Sequence, residues 1–391
     1  MARSKSSRAR LCDLCGLPMR KNGTTSSGRQ RWRCVDCGSS GVARREDATR
    51  MAQFRAFLAW VTGVASMESA AGMLGVGRRT FMRRTDWCGR VRPRIDPDGV
   101  VHRFVEVDGT YVPYGWCLLV AIGEDGAPIG WQWCAAENRQ AYKALMRPIA
   151  APELLVCDGS PACLKAAAEL WPGTCVQRCL VHALRNTFTD LTHHPKSEAG
   201  RQLLAHAKRL TRIHDRQAAA DWLVGLNDWH ERHGDYIKER TMARTDPDNP
   251  KARSGRKWWW THESLRRAYF RLVRMHHDHT LFAFLDTGDE ELPRTTNKLE
   301  GGVNADLKRK LDAHRGLGEE HMRRCCEWVL YMKTADPRPE RFVTSDHWHA
   351  QPARPPARHE PEPGTWTDVQ LPGTGEHGNG FGIRKGWAGR S

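Results

Sequence analysis

The rhythm of apolar and polar positions changes several times along the chain, and each change predicts a different kind of element. Residues 46–98 place apolar residues at helical spacing and read as short helices. Arg103 to Val112 alternates as a strand does, with Val105 and Val107 on one face and Glu106 and Asp108 on the other. Trp116-Cys-Leu-Leu-Val-Ala-Ile122 is a continuous apolar run, the pattern of a central strand. Gly123-Glu-Asp-Gly126 predicts a hairpin turn into a third strand, Ile129 to Ala135. Asn138 to Ile149 reads as a helix, and Glu153 to Asp158 as a short buried strand ending in an acid. Pro161 to Leu170 is a helix with proline in its first turn, and Thr174 to Val181 a fifth strand. Residues 184–290 read as helical throughout and 291–334 as one or two further helices. After about residue 335 Pro, Gly, His and Arg take over without apolar periodicity, which predicts a disordered tail over 335–391. No internal repeat is found.

Three strands in a meander, then helix, strand, helix, strand, is a ribonuclease-H-like layout. In that α/β arrangement two acids stand on adjacent central strands, here Asp108 and Asp158. An acid on a buried strand is costly unless it is paired or holds a metal, and hard oxygen ligands favour Mg²⁺. A third acid has to come from a later helix. One begins in Thr295-Thr-Asn-Lys-Leu-Glu300-Gly-Gly-Val-Asn304, where Leu299, Val303, Leu307 and Leu311 recur as a packing face and Glu300, Asn304 and Lys308 form an adjacent stripe. Gly301 and Gly302 remove bulk beside the acid. Asn297-x-x-Glu300 is equally a capping-box pattern, with Glu300 only closing a helix N-terminus. The residues alone leave both readings open. The core, 99–183 and 291–334, is then interrupted by an all-α insertion over 184–290.

Charge adds a partner. With 61 Lys+Arg against 45 Asp+Glu the net charge is +16, and a nucleic acid is the first polyanion to consider. No run approaches the roughly 20 apolar residues of a membrane span. The N-terminal basic residues are followed by no apolar segment, so the expected location is the cytoplasm, in association with the nucleoid. Thirteen cysteines, an odd number, argue against a secreted disulfide scaffold.

Four of those cysteines fall in residues 1–45. Cys12-x-x-Cys15 and Cys34-x-x-Cys37 have the spacing of a four-thiolate structural Zn²⁺ site, a zinc ribbon, with Gly16 and Gly38 supplying the knuckle turns. The alternative is a set of redox-active or unrelated thiols. Between the knuckles Arg29, Arg31 and Arg33 lie on a basic strand that either contacts DNA or is simply solvated. In residues 66–87 a small-residue face (Ala70, Ala71, Leu74), a turn at Gly75 and Gly77, and a helix bearing Arg78, Arg79, Arg83 and Arg84 make a helix-turn-helix layout. An ordinary helical hairpin would look the same. Trp258-Trp259-Trp260 follows Arg256 and Lys257. Three adjacent indoles cannot share one helix face, so at least one points outward, where it can stack on an unpaired base; filling the insertion's core is the competing reading.

Taken in order, Val-Glu-Val-Asp108-Gly-Thr-Tyr-Val, Val-Cys-Asp158-Gly-Ser and Thr-Thr-Asn-Lys-Leu-Glu300-Gly-Gly-Val-Asn resemble the DDE transposases of bacterial insertion sequences, in the mutator-like group. Cys179-Leu-Val-His182 looks like that group's C/D-x-x-H motif. The resemblance covers roughly residues 10–335. It implies catalytic Asp108, Asp158 and Glu300 holding two Mg²⁺ ions and DNA transposition through strand cleavage and strand transfer. It places His182 near the scissile phosphate, with Cys179 as support. Read without it, Cys179 and His182 are equally half a zinc site or a buried thiol with an orienting histidine. The implied partners are double-stranded DNA, as terminal inverted repeats and target, and a second copy of the chain or a larger assembly. Lys308 joins the DNA-contacting set. A catalytically silent DNA-binding regulator and a nuclease or junction resolvase of the same fold are the competing functions.

Overall fold

The computed structural model describes residues 10–12, 15, 17–26, 28–42, 46–286, 292–314 and 316–349. They divide into two compact bodies. One gathers the described residues up to 94 with 310–332 and 336–349; the other gathers 95–309 with 333–335.

The first body opens with three short antiparallel strands, β1 (Met19–Thr24), β2 (Gln30–Cys34) and β3 (Ser40–Val42), in that order. Among the described residues this sheet's buried apolar cluster is Cys12, Met19 and Cys34, with Trp32 partly buried against it, far too few to hold a sheet by burial alone. Then come α1 (Glu46–Val61), α2 (Met67–Met73) and α3 (Arg78–Thr85). Ser66 caps α2, its hydroxyl accepting from the Ser69 N–H, and Gly75 takes a positive φ of 62° in the turn before α3. Phe54 of α1 meets Trp328 edge-on, Trp60 meets Phe81, and Trp87 meets Trp348. The segment expected to be disordered from 335 is structured as far as 349, because Phe342 and Trp348 find these aromatic partners. Residues 350–391 of that expected tail lie outside the described residues.

The second body is built on a five-stranded mixed sheet: β4 (Phe104–Val112), β5 (Trp116–Ile122), β6 (Pro128–Cys134), β7 (Leu154–Cys157) and β8 (Cys175–Arg178). The spatial order is β6-β5-β4-β7-β8, with β4, β5 and β6 antiparallel and β4, β7 and β8 parallel. Between strands run α4 (Arg139–Met146), capped by Asn138, and α5 (Pro161–Leu170), capped by Ser160. Side chains alternate, so each strand feeds two cores. Val105, Val107, Leu119 and Leu155 pack under Tyr142, Leu145 and Met146 of α4 and Ala166 of α5. Phe104, Leu154 and Val156 face the other way, onto the helices that follow.

Those helices are α6 (Leu180–Leu191), α7 (Glu198–Ala207), α8 (Arg216–His233), α9 (Pro250–Arg253) and α10 (Glu263–His277). Trp222 and Trp229 of α8 are buried and donate their indole N–H groups to the carbonyls of His206 and Ala199. The insertion is not all-α as expected. Two strands, β9 (Arg240–Met242) and β10 (Trp258–Trp260), pair antiparallel inside it. A run of three indoles favours extended backbone, where successive rings alternate faces, over a helix. The fifth core strand is also shorter than expected. It stops at Arg178, and Cys179 caps α6, so His182 lies in a first helical turn. After the insertion a π-helical segment, Lys298–Asn304, leads into α11 (Ala305–Ala313), and α12 (Glu319–Tyr331) belongs to the first body.

Candidate active site and nucleic-acid interface

Asp108 stands on β4, and the parallel pairing of β4 with β7 matches Glu106 to Val156. Carried two residues further, that register brings Asp108 level with Asp158, at the C-terminal end of β7. Gly159 follows with φ 84°, and a Cβ there would lie 1.9 Å from the Arg178 Nε. Only glycine lets the chain leave the strand at that point. The Asp158 Oδ1 accepts from the Ser160 N–H at 2.8 Å.

Cys179 ties the end of β7 to the approach of the π-helical segment. Its N–H donates to the Cys157 carbonyl at 2.7 Å, and its sulfur accepts from the Thr296 N–H and hydroxyl, both at 3.4 Å. Thr296 in turn is four residues before Glu300, whose N–H donates to the Thr296 carbonyl. The capping-box reading fails here. Asn297 is helical, makes no side-chain cap, and Glu300 looks elsewhere. Its carboxylate takes the Arg185 guanidinium at 2.8 and 3.1 Å and the His182 Nε2 at 2.9 Å.

These contacts set the charges. The His182 hydrogen bond, helped by Arg185 and opposed by burial, holds Glu300 down at about 2. Burial alone would lower His182; hydrogen bonds to Cys179 and Glu300 override it and raise the imidazole to about 10. Asp108 goes the other way. Burial, reinforced by the negative charges of Glu300, Glu137 and Asp158 and opposed by His182, pushes it to about 7. Asp108, Asp158, Glu300 and His182, separated in the chain, therefore share one electrostatic neighbourhood.

Two acids there were not singled out from the sequence. Glu137 accepts the Tyr142 hydroxyl at 2.6 Å and lies against Gly109, where a Cβ would sit 2.7 Å from its Oε1. Burial raises its carboxyl. The Gly after Asp108 was the available signal. Glu106 is fully buried, and its Oε2 accepts the Leu299 N–H at 3.2 Å, fastening the π-helical segment to β4.

A hard divalent cation suits this donor set, which is oxygen-only and crowded with like charge. Among the described residues, though, only Cys12, Cys15, Cys34 and Cys37 bring all their ligand atoms within 4.8 Å of one another. The three acids stay looser because Glu300 is drawn to His182 and Arg185. The cysteine sulfurs lie 3.4 to 3.6 Å apart in the measured pairs, near the edge of about 3.8 Å for a tetrahedron with ~2.3 Å Zn–S bonds. Gly38 takes the expected positive φ; Gly16 lies outside the described residues.

The basic residues expected at a nucleic-acid interface divide between the bodies. Arg31 and Arg33 are exposed on β2, with Arg29 exposed just before it. Arg78, Arg79, Arg83 and Arg84 are all exposed on α3, whose opposite face buries Phe81 and Thr85. In the second body Lys308 is half-buried on α11. Of the three indoles Trp259 is buried and Trp258 is 38% exposed. The Arg240 guanidinium stacks on Trp258 and Trp260, at 4.3 and 4.9 Å, and Arg266 on Trp260 and Phe270, at 4.0 and 4.5 Å. The result is a ladder of alternating cations and rings.

Residues 108–245 match the model of the Mutator family of transposases. This segment contains Asp108, Asp158, Cys179 and His182 and ends before Glu300. The chain is also 27% identical over 210 residues to the transposase for insertion sequence element ISRM5 of Rhizobium meliloti, a stretch covering 50% of this chain and 46% of that protein. No described helix is long and apolar enough to cross a membrane. Over residues 108–245 the chain is thus similar to the Mutator family of transposases, and it spans about half the length of the insertion-sequence transposase that it matches.

Proposed function

We propose that this chain is a DDE-type DNA transposase that binds the terminal inverted repeats of its element and cleaves and joins DNA strands at one site. The reading is supported by the electrostatic coupling of Asp108, on the central strand β4, with Asp158, just past the end of β7 beside it, and with Glu300 of the distant π-helical segment. Two Mg²⁺ ions held by these acids would activate a water, and then a 3′-hydroxyl, for in-line attack on a phosphodiester. Glu137 and Glu106 support the acids from behind. His182, cationic at neutral pH, orients Glu300 and presents a positive charge toward the scissile phosphate. Arg185 does the same from the exposed side.

The domain roles follow. Residues 1–45 form a zinc-ribbon module with one structural Zn²⁺. Residues 46–98 form a helix-turn-helix reading the repeats with Arg78, Arg79, Arg83 and Arg84. Residues 99–183 and the part of 291–334 that lies before Lys310 supply the catalytic core, 184–290 the insertion, and 335–391 the tail, while 310–332 belong to the body of the N-terminal modules. Arg29, Arg31, Arg33 and Lys308 contact the DNA backbone, and Trp258 and Trp260 present stacking faces. Two ends have to meet, so the working form is a dimer or larger, located in the cytoplasm with the nucleoid. The test is a Mg²⁺-dependent nicking and joining assay on DNA carrying the element's ends. Cutting and joining that both vanish in Asp108→Asn support the reading. Cutting without joining indicates a nuclease, and end binding with neither indicates a silent regulator.

A further inference from the structure

Asn304 closes the π-helical segment and is 3% exposed. Its side-chain Nδ2 donates to the Asp108 Oδ2 at 2.9 Å. Its other end, the Oδ1, is buried and has no hydrogen-bond partner. Exchanging the two ends of the amide would not relieve this, because it would set an oxygen against a carboxylate oxygen and orphan the NH₂ instead. A buried amide oxygen without a donor costs roughly 1–3 kcal/mol, so a native structure keeps one where something else supplies the partner.

The surroundings say what that partner is. The amide is hydrogen-bonded to Asp108, whose carboxyl feels the negative charges of Glu300, Glu137 and Asp158. Amide oxygens are good ligands for hard cations and good acceptors for the waters such cations hold. The backbone explains how the residue reaches the site. Glu300 and Asn304 are four residues apart, so in the π-helical segment, as in a regular α-helix, they face nearly the same side. Gly301 and Gly302 lie between them, and a Cβ on either would meet nothing within 4 Å, so these glycines make room on the outer side and not toward the acids.

We propose that Asn304 is a further member of the divalent-cation site: its Nδ2 fixes Asp108 while its Oδ1 accepts from the cation directly or from a water the cation holds. This rests on the reading that Asp108, Asp158 and Glu300 bind cations, and extends it to a neutral residue with two jobs.

The experiment is Mn²⁺ binding by the full chain without DNA, followed by electron paramagnetic resonance of the free ion. Asn304→Ala should weaken Mn²⁺ binding at least tenfold while the far-ultraviolet circular dichroism stays as in the wild type. An unchanged affinity in folded Asn304→Ala overturns the proposal. Should that variant fail to fold, Asn304→Asp decides, because it keeps an oxygen at the same place. Mn²⁺ should then raise its melting temperature by more than it raises the wild type's, and an equal or smaller rise overturns the proposal. Asp108→Asn is the control: if it binds Mn²⁺ as tightly as the wild type, the cation reading of the acids fails, and the role of Asn304 with it.

Discussion

The Glu300 carboxylate has two charged partners that differ in burial, besides the Thr296 hydroxyl at 3.5 Å, and the difference fixes what each charge is worth. The Arg185 side chain is 57% exposed, so its ion pair is screened by solvent and contributes less than about 1 kcal/mol. His182 and Glu300 are each about one-fifth exposed, and removing the acid leaves a half-buried imidazolium without its partner. Arg185→Ala should leave chemical denaturation nearly unchanged, whereas Glu300→Ala should cost about 1–3 kcal/mol; equal costs would mean the imidazole does not depend on the acid. His206 gives a pH effect away from the acids. Burial lowers its pKa, against a hydrogen bond to the Trp222 carbonyl, so the folded state binds the proton less readily than the unfolded chain. Its stabilising contribution is present above the ordinary histidine value of 6.5 and lost as pH falls below it. The melting temperature should drop more between pH 7 and pH 5 in the wild type than in His206→Gln. At this scale Asp108 and Asp158 sit in recognisable strand patterns, whereas the local pattern at Glu300 fitted a site acid and a helix cap equally. Arg185 and Glu137 carried none: each acts through a partner distant in the chain or across a strand, Glu300 for the first and Gly109 for the second.

Element boundaries were legible where one local rule dominates. α5 runs from Pro161 to Leu170 as read, since Ser160 caps it and proline suits its first turn. β5 covers Trp116–Ile122 because seven consecutive apolar residues fit only a strand buried on both faces. The β9–β10 hairpin was missed because strands of three residues show no periodicity and their pairing, Trp259 with Thr241, joins positions far apart. The π-helical turn was equally invisible, since Leu299, Val303 and Leu307 fit α-helical spacing and only the tertiary pull of Glu106 and Asp108 on the turn reveals the extra residue. The hairpin separates the two readings of its tryptophans. Trp259→Ala removes a buried ring and should destabilise the protein by about 2–4 kcal/mol. Trp258→Ala removes a partly exposed ring flanked by Arg240 and Trp260, and should leave stability within about 1 kcal/mol while slowing a step after end recognition. A large loss of stability from Trp258→Ala, with end processing intact once the protein is folded, would make that ring structural.

At the scale of the whole molecule, the proposed function assigns DNA recognition and cation chemistry to two bodies whose apolar clusters are separate. On the proposed function the +16 charge would act on DNA through phosphates, so the logarithm of the end-binding constant should fall linearly with the logarithm of salt concentration. Each phosphate contact adds about 0.9 to the slope, so Arg83→Ala with Arg84→Ala should flatten it by about 1.8 if both α3 side chains reach the backbone. An unchanged slope would show that α3 is a solvated face. The zinc-type sheet has almost no apolar core, and its cohesion has to come from the four thiolates. Cys15→Ser should therefore abolish zinc retention, measured by elemental analysis, and melt the β1–β3 sheet with a loss of end binding. The five-stranded sheet buries its own apolar layers, so the same variant should keep its main thermal transition and its Mn²⁺ binding. Asp108→Asn should give the mirror image, retaining zinc and salt-dependent end binding while cleavage and joining fall together by several orders of magnitude, since on the proposed function one site serves both steps. If Cys15→Ser instead removed Mn²⁺ binding, or Asp108→Asn removed end binding, recognition and chemistry would not be carried by separate parts of the chain, and the assignment of the N-terminal modules to the repeats would be wrong.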